Sequence, residues 1–79
     1  MIDLERFEEI KKTVSKSKAE TSVYRQVADM SLKNAHTCVR LGQIEFFDAW
    51  MAIEKFCEDK LSENLKLIED LSKELKDSN

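Results

Sequence analysis

Leu4, Phe7, Ile10 and Val14 recur in steps of three and four, with polar residues between them, which places them on one helical face. The pattern predicts a short first helix over about residues 3–15. Glu8 and Lys12 form an i, i+4 pair on its outer side. Ser15-Lys16-Ser17-Lys18 interrupts the periodicity and reads as a loop. Ser17-x-x-Glu20 then has the form of a capping box, in which a hydroxyl and a carboxylate satisfy the unpaired N–H groups at a helix start.

A second helix is predicted over about 18–41. Val23, Tyr24, Val27, Ala28, Ser31, Ala35, Cys38 and Val39 cover one side, and Arg25, Asp29, Lys33, His36 and Arg40 the other. Ala28, Ser31, Ala35, Cys38 and Gly42 form a seam of small residues, which lets a neighbouring helix with bulky side chains approach closely.

The bulky neighbour follows over about 43–77. Phe46, Trp50, Ile53, Cys57, Leu61, Ile68, Leu71 and Leu75 trace one stripe, and Asn64 sits within it as a lone polar residue of the kind that fixes register. Regular heptad steps from the small seam instead reach Glu45, Ala49, Ala52, Phe56, Asp59, Glu63 and Lys66, which turns polar, so the helix must break or stutter near Gly42. Leu41-Gly42 after Arg40 fits a C-terminal cap with glycine in the left-handed conformation. Gln43 is a poor N-cap, and the alternative is one helix of about 60 residues, near ~90 Å long. The hairpin sets Cys38 near Phe46 or Phe47, Ala35 near Trp50, Ser31 near Ile53 and Ala28 near Cys57. The cysteines then lie far apart, and no intrachain disulfide is expected.

Composition supports an all-α fold. The chain has 79 residues, one glycine and no proline, so β or loop-rich folds lack their turn residues. This length sets one domain over residues 1–79 with a thin core: a folded monomer of this mass exposes ~4,900 Å² and buries roughly 63% of its extended surface. Self-association, as a dimer or higher oligomer, is therefore expected. No run approaches the ~20 apolar residues of a membrane span. The acidic, amphipathic start MIDLERFEE resembles neither a signal nor a transit peptide. Two isolated cysteines fit a reducing, cytoplasmic setting. The net charge of −3 divides into eight Lys/Arg against six Asp/Glu in residues 1–40, and five against ten in 41–79.

The candidate chemistry is concentrated at the start of the third helix. Besides the main stripe of Phe46, Ala49, Trp50, Ile53 and Cys57, a second ridge of Ile44, Phe47 and Met51 faces another way. Two stripes imply two neighbours. The first helix would lie alongside about residues 53–65 and fall short of this ridge, which leaves it for another chain. Ile44, Phe47 and Met51 are the expected apolar anchor, with Glu54, Phe56 and Glu58 at its edge. The expected function is a non-enzymatic protein–protein interaction module (a small regulator, inhibitor, adaptor or co-chaperone) acting by helix docking, here as a coiled-coil hairpin.

Two other readings stand beside it. Lys11, Lys12, Lys16 and Lys18, with Arg25, His36 and Arg40, offer phosphate or acidic-partner contacts, which suit a small nucleic-acid-associated protein. Asp29 within that ridge and the acidic chain oppose it. An oligomeric small-ligand binder is the other alternative. Catalysis has little support: His36 and Cys38 are two residues apart on a helix and point to different sides. No ligand spacing recommends a metal, and no cofactor is expected.

Overall fold

The computed structural model describes residues 2–77. It holds two helices, α1 (Leu4–Leu41, 38 residues) and α2 (Ile44–Asp77, 34 residues), folded back on each other as a helical hairpin. The hairpin is a rod of 59 × 16 × 12 Å with a radius of gyration of 17.7 Å. A compact domain of this length has a radius near ~12 Å.

The ends of α1 are set by two residues. Asp3 is its N-cap: the backbone is extended, and a side-chain oxygen accepts the Arg6 N–H at 2.7 Å. Gly42 closes the other end at φ 74°, in the left-handed region that glycine enters without steric cost. The Gly42 N–H donates to the Val39 carbonyl at 3.1 Å and the Gln43 N–H to the Cys38 carbonyl at 2.8 Å, the paired bonds of a Schellman cap. The chain reverses across Gly42 and Gln43 alone. The Gln43 carbonyl already accepts the Phe47 N–H at 3.1 Å, so α2 starts at once. The hairpin alternative at Gly42 is therefore the one adopted.

The expected short N-terminal helix is corrected. Residues 15–18 continue α1 without a break, so the segments 3–15 and 18–41 are one helix. Neither glycine nor proline interrupts them, and serine and lysine cost a helix interior little. The Ser17–Glu20 capping box does not form. Ser17 is buried in mid-helix, and its carbonyl accepts the Thr21 hydroxyl at 2.7 Å. The first turns of α1 accordingly lie beside the last turns of α2, where Arg6 meets Glu74, and not beside residues 53–65.

The seam between the helices follows a strict repeat. In α1 the buried and half-buried positions include Ile10, Val14, Ser17, Thr21, Tyr24, Ala28, Ser31, Ala35 and Cys38, in alternate steps of four and three. In α2 the matching series is Phe47, Trp50, Glu54, Cys57, Leu61, Asn64, Ile68, Leu71 and Leu75. Both average ~3.5 residues per turn, the period that keeps one face of a helix against a long neighbour. The small seam of Ala28, Ser31, Ala35 and Cys38 is buried as expected. The large-residue stripe is buried or half-buried as expected at Trp50, Cys57, Leu61, Asn64, Ile68, Leu71 and Leu75, and differs from the expected one at two positions. Phe47 and Glu54 take seam positions, while Phe46 and Ile53 stand beside the seam, exposed.

The core is correspondingly thin. Its buried apolar members are Ile10, Ala28, Ala35, Cys38 and Cys57, and of these only Ile10 is large. Burial of such a side chain contributes ~1.5–3 kcal/mol. Both cysteines are free and buried.

Candidate functional site

Two long-range contacts fix which sides of the helices adjoin. The Arg6 guanidinium donates to the Glu74 carboxylate through Nε (2.9 Å) and Nη2 (3.0 Å). The Tyr24 ring meets Phe56 edge-on, with centroids 6.4 Å apart at 74°. In both pairs the residue numbers sum to 80, and both contacts cross the seam on the same side. Steps of seven from Arg6 pass through Glu20, Val27, Asn34 and Leu41; steps of seven back from Glu74 pass through Leu67, Lys60, Ile53 and Phe46. These rows border the seam on the same side of the hairpin.

This flank is apolar over its turn-proximal half. Val23, Met30 and Leu41 of α1 and Phe46, Ile53 and Phe56 of α2 are all exposed there, Phe46 at 58% and Phe56 at 56%. The Lys60 ammonium sits 5.5 Å from the centre of the Phe56 ring and pairs with Glu63 at 3.4 Å. Farther along, Val23 and Tyr24 line a shallow apolar depression with Ala19 and Glu20. Toward the open end the flank becomes polar, with Lys16, Glu20, Lys60 and Glu63.

The expected anchor residues do not share this surface. Ile44, Met51 and Glu58 are seven apart and lie on the opposite flank. Ile44 is exposed and Met51 half-buried, and Leu65 of α2 with Leu32 and Val39 of α1 are exposed on that flank too. Phe47 and Glu54 are half-buried in the seam, so α1 already covers much of the ridge expected to meet another chain. Phe56 alone of the six stands on the Phe46–Ile53 side. Adjacent aromatics at 46 and 47 leave the sequence register open by one residue, which puts Phe46 and Ile53 in the expected packing stripe. Val23, expected on the packing side of its helix, is exposed, and Met30 gives no separate signal, because single exposed apolar residues are ordinary.

Glu54 of the seam carries an electrostatic perturbation near this region. A hydrogen bond with Glu58, then desolvation and the repulsion between the two carboxylates, raise its pKa above the usual glutamate value. Glu74 is held below that value, chiefly by its hydrogen bonds from Arg6.

The basic candidates do not form one patch. Lys11, Lys12, Lys16, Lys18, Arg25, His36 and Arg40 are all exposed but scatter around α1. Lys11 and Lys12 share a shallow depression with Glu5, Glu8 and Glu9. Cys38 is buried in the seam and His36 is exposed, so the two are turned apart. Among the described residues, no group of three or more His, Cys, Asp and Glu side chains is placed to hold a metal ion, and no helix is long and apolar enough to cross a membrane.

The chain matches no protein-family model, and neither a curated protein nor a solved structure is significantly similar to it.

Proposed function

We propose that the protein is a non-enzymatic interaction module that acts by helix-against-helix docking, as a small regulator, inhibitor, adaptor or co-chaperone does. The apolar flank carries the reading. Six large apolar side chains, drawn from both helices, stand exposed on one side of a rod whose own core is mostly small residues. Apolar surface gathered in this way marks interaction sites. The docking surface is centred on Phe46, Ile53 and Phe56 rather than on the Ile44–Phe47–Met51 ridge. Its rim of Lys16, Glu20, Lys60 and Glu63 supplies the polar border of an interface.

A photo-crosslinking amino acid tests this reading in cells. Placed at Ile53 it is expected to capture another polypeptide, whereas at the outward-facing Lys66 it is expected to capture none. Equal capture at both positions, or none at either, overturns the reading.

A further inference from the structure

The proposed docking surface has a shape that selects its occupant. It is two helices wide, with one apolar row from α1 and another from α2. A single foreign helix would cover the groove between the rows and leave their outer sides wet. A second hairpin presents the same two rows and covers both. We propose that the flank's partner is a second copy of this chain, paired with its turn at the same end to close a four-helix bundle. The inference rests on the reading of the flank as a docking surface.

The contacts between α1 and α2 argue for this arrangement. A two-fold axis along the rod sets each α1 beside the partner's α2 at equal height, running the opposite way. Side chains whose numbers sum to about 80, as in the Arg6–Glu74 and Tyr24–Phe56 contacts within one hairpin, then meet across the interface. Val23 faces the partner's Phe56, and Val27 the partner's Ile53. Where the flank turns polar, Glu20 faces the partner's Lys60 and Lys16 the partner's Glu63, so unlike charges meet. The match ends near the open end, where Glu9 faces the partner's Asp70. All neighbouring helices are antiparallel, as in up-and-down four-helix bundles.

Surface area gives independent support. The hairpin exposes 6198 Å². A folded monomer of 9.2 kDa exposes ~4,900 Å². The excess is about 1,300 Å², against the ~800 Å² that each partner of a standard interface buries.

Sedimentation equilibrium on the full chain, from low micromolar to millimolar, tests the proposal. The expected mass is twice 9.2 kDa. Val23→Asp with Phe56→Asp is expected to weaken the dimer by a factor of ~30 or more while circular dichroism stays helical. Should that variant unfold, Lys16→Glu is expected to weaken the dimer and Lys16→Glu with Glu63→Lys to restore it, since both lie outside the seam. For direction, Gln43→Cys is expected to form an interchain disulfide under mild oxidation. A monomeric wild type overturns the self-pairing, and the crosslink at Ile53 then decides separately whether the flank docks another protein. A dimer that survives both the aspartates and Lys16→Glu overturns the choice of flank. A Gln43→Cys dimer that resists oxidation overturns the turn-to-turn direction.

Discussion

Arg6 and Glu74 stand 68 residues apart in the chain and form a two-pronged ion pair at the open end of the hairpin. Arg6 also reaches Glu9 at 3.3 Å. The pair ties the first turns of α1 to the last turns of α2, where no loop joins them. It is partly exposed, so its contribution is modest and screened by salt. Glu74 titrates below the usual glutamate value because Arg6 hydrogen-bonds its charged form. A lowered folded pKa gives stability that is present above the unfolded value and lost as pH falls through the folded one. Glu74→Gln is therefore expected to lower Tm near neutral pH and to make no difference in strong acid. Amide exchange should quicken first in the opening turns of α1. A variant Tm offset that stays constant down to strong acid would refute the ion pair as its cause.

Glu54 has the opposite sign. It occupies a seam position and shares a hydrogen bond with Glu58, which favours its protonated form in the fold. The charged form is penalised in the fold above its raised pKa, and the penalty is relieved as pH falls through that value toward the unfolded one. Glu54→Gln is expected to raise Tm at neutral pH and to flatten the gain that wild type shows on mild acidification. Thermal melts across that range, with Glu74→Gln beside it, separate the two carboxylates by direction alone. Equal Tm for wild type and Glu54→Gln at neutral pH would show that the seam does not penalise the charge.

Much of this hairpin is legible in the sequence. The reversal at Gly42 follows from the clash between the small seam's heptad continuation, which turns polar, and the real apolar stripe. The burial of Ala28, Ser31, Ala35 and Cys38 follows from side-chain size. The break expected at residues 15–18 is not adopted, because Ser17 is a seam residue: a buried serine breaks the apolar pattern without breaking the helix. The proposed docking face differs from the expected ridge for a related reason. Glu54 holds a seam position that charged residues rarely take, and this hides the repeat through Phe47, Glu54 and Leu61. With that repeat hidden, Phe46 and Ile53 look like core.

Gly42 is required for its backbone and not for space. A Cβ placed there meets nothing within 4 Å, yet φ is +74°. Side-chain-bearing residues pay ~1–2 kcal/mol in that conformation, asparagine less than most. Gly42→Ala is expected to lower stability by ~1 kcal/mol and Gly42→Asn by less, read from denaturant midpoints at unchanged slope. Equal stability of the alanine variant would mean that the cap had been replaced by another turn.

Ala35 is wholly buried within the small-residue stretch of the seam. Ala35→Leu is expected to cost ~1–3 kcal/mol by overpacking, with the seam forced apart around it. An unchanged melting temperature would mean that the helices stand farther apart than the seam implies.

Ser31 and Asn64 test what polar groups do inside this seam. The Ser31 hydroxyl is 0% exposed, and neither its Oγ nor the Asn64 Nδ2 finds a hydrogen-bond partner among the described residues. A buried polar group without a partner costs ~1–3 kcal/mol, so removing it should stabilise. Ser31→Ala keeps the size and is expected to raise stability by ~1 kcal/mol. Asn64→Leu also removes an unpaired donor, but it takes away the one amide in a stripe otherwise open to sliding. A more stable protein with broader amide resonances would show that Asn64 selects one register at a cost in stability. If the leucine variant is instead more stable and equally sharp, register is set elsewhere, by the Gly42 reversal at one end and the Arg6–Glu74 pair at the other. If Ser31→Ala is less stable than wild type, the hydroxyl has a partner in solution, and the seam is wetter than its packing suggests.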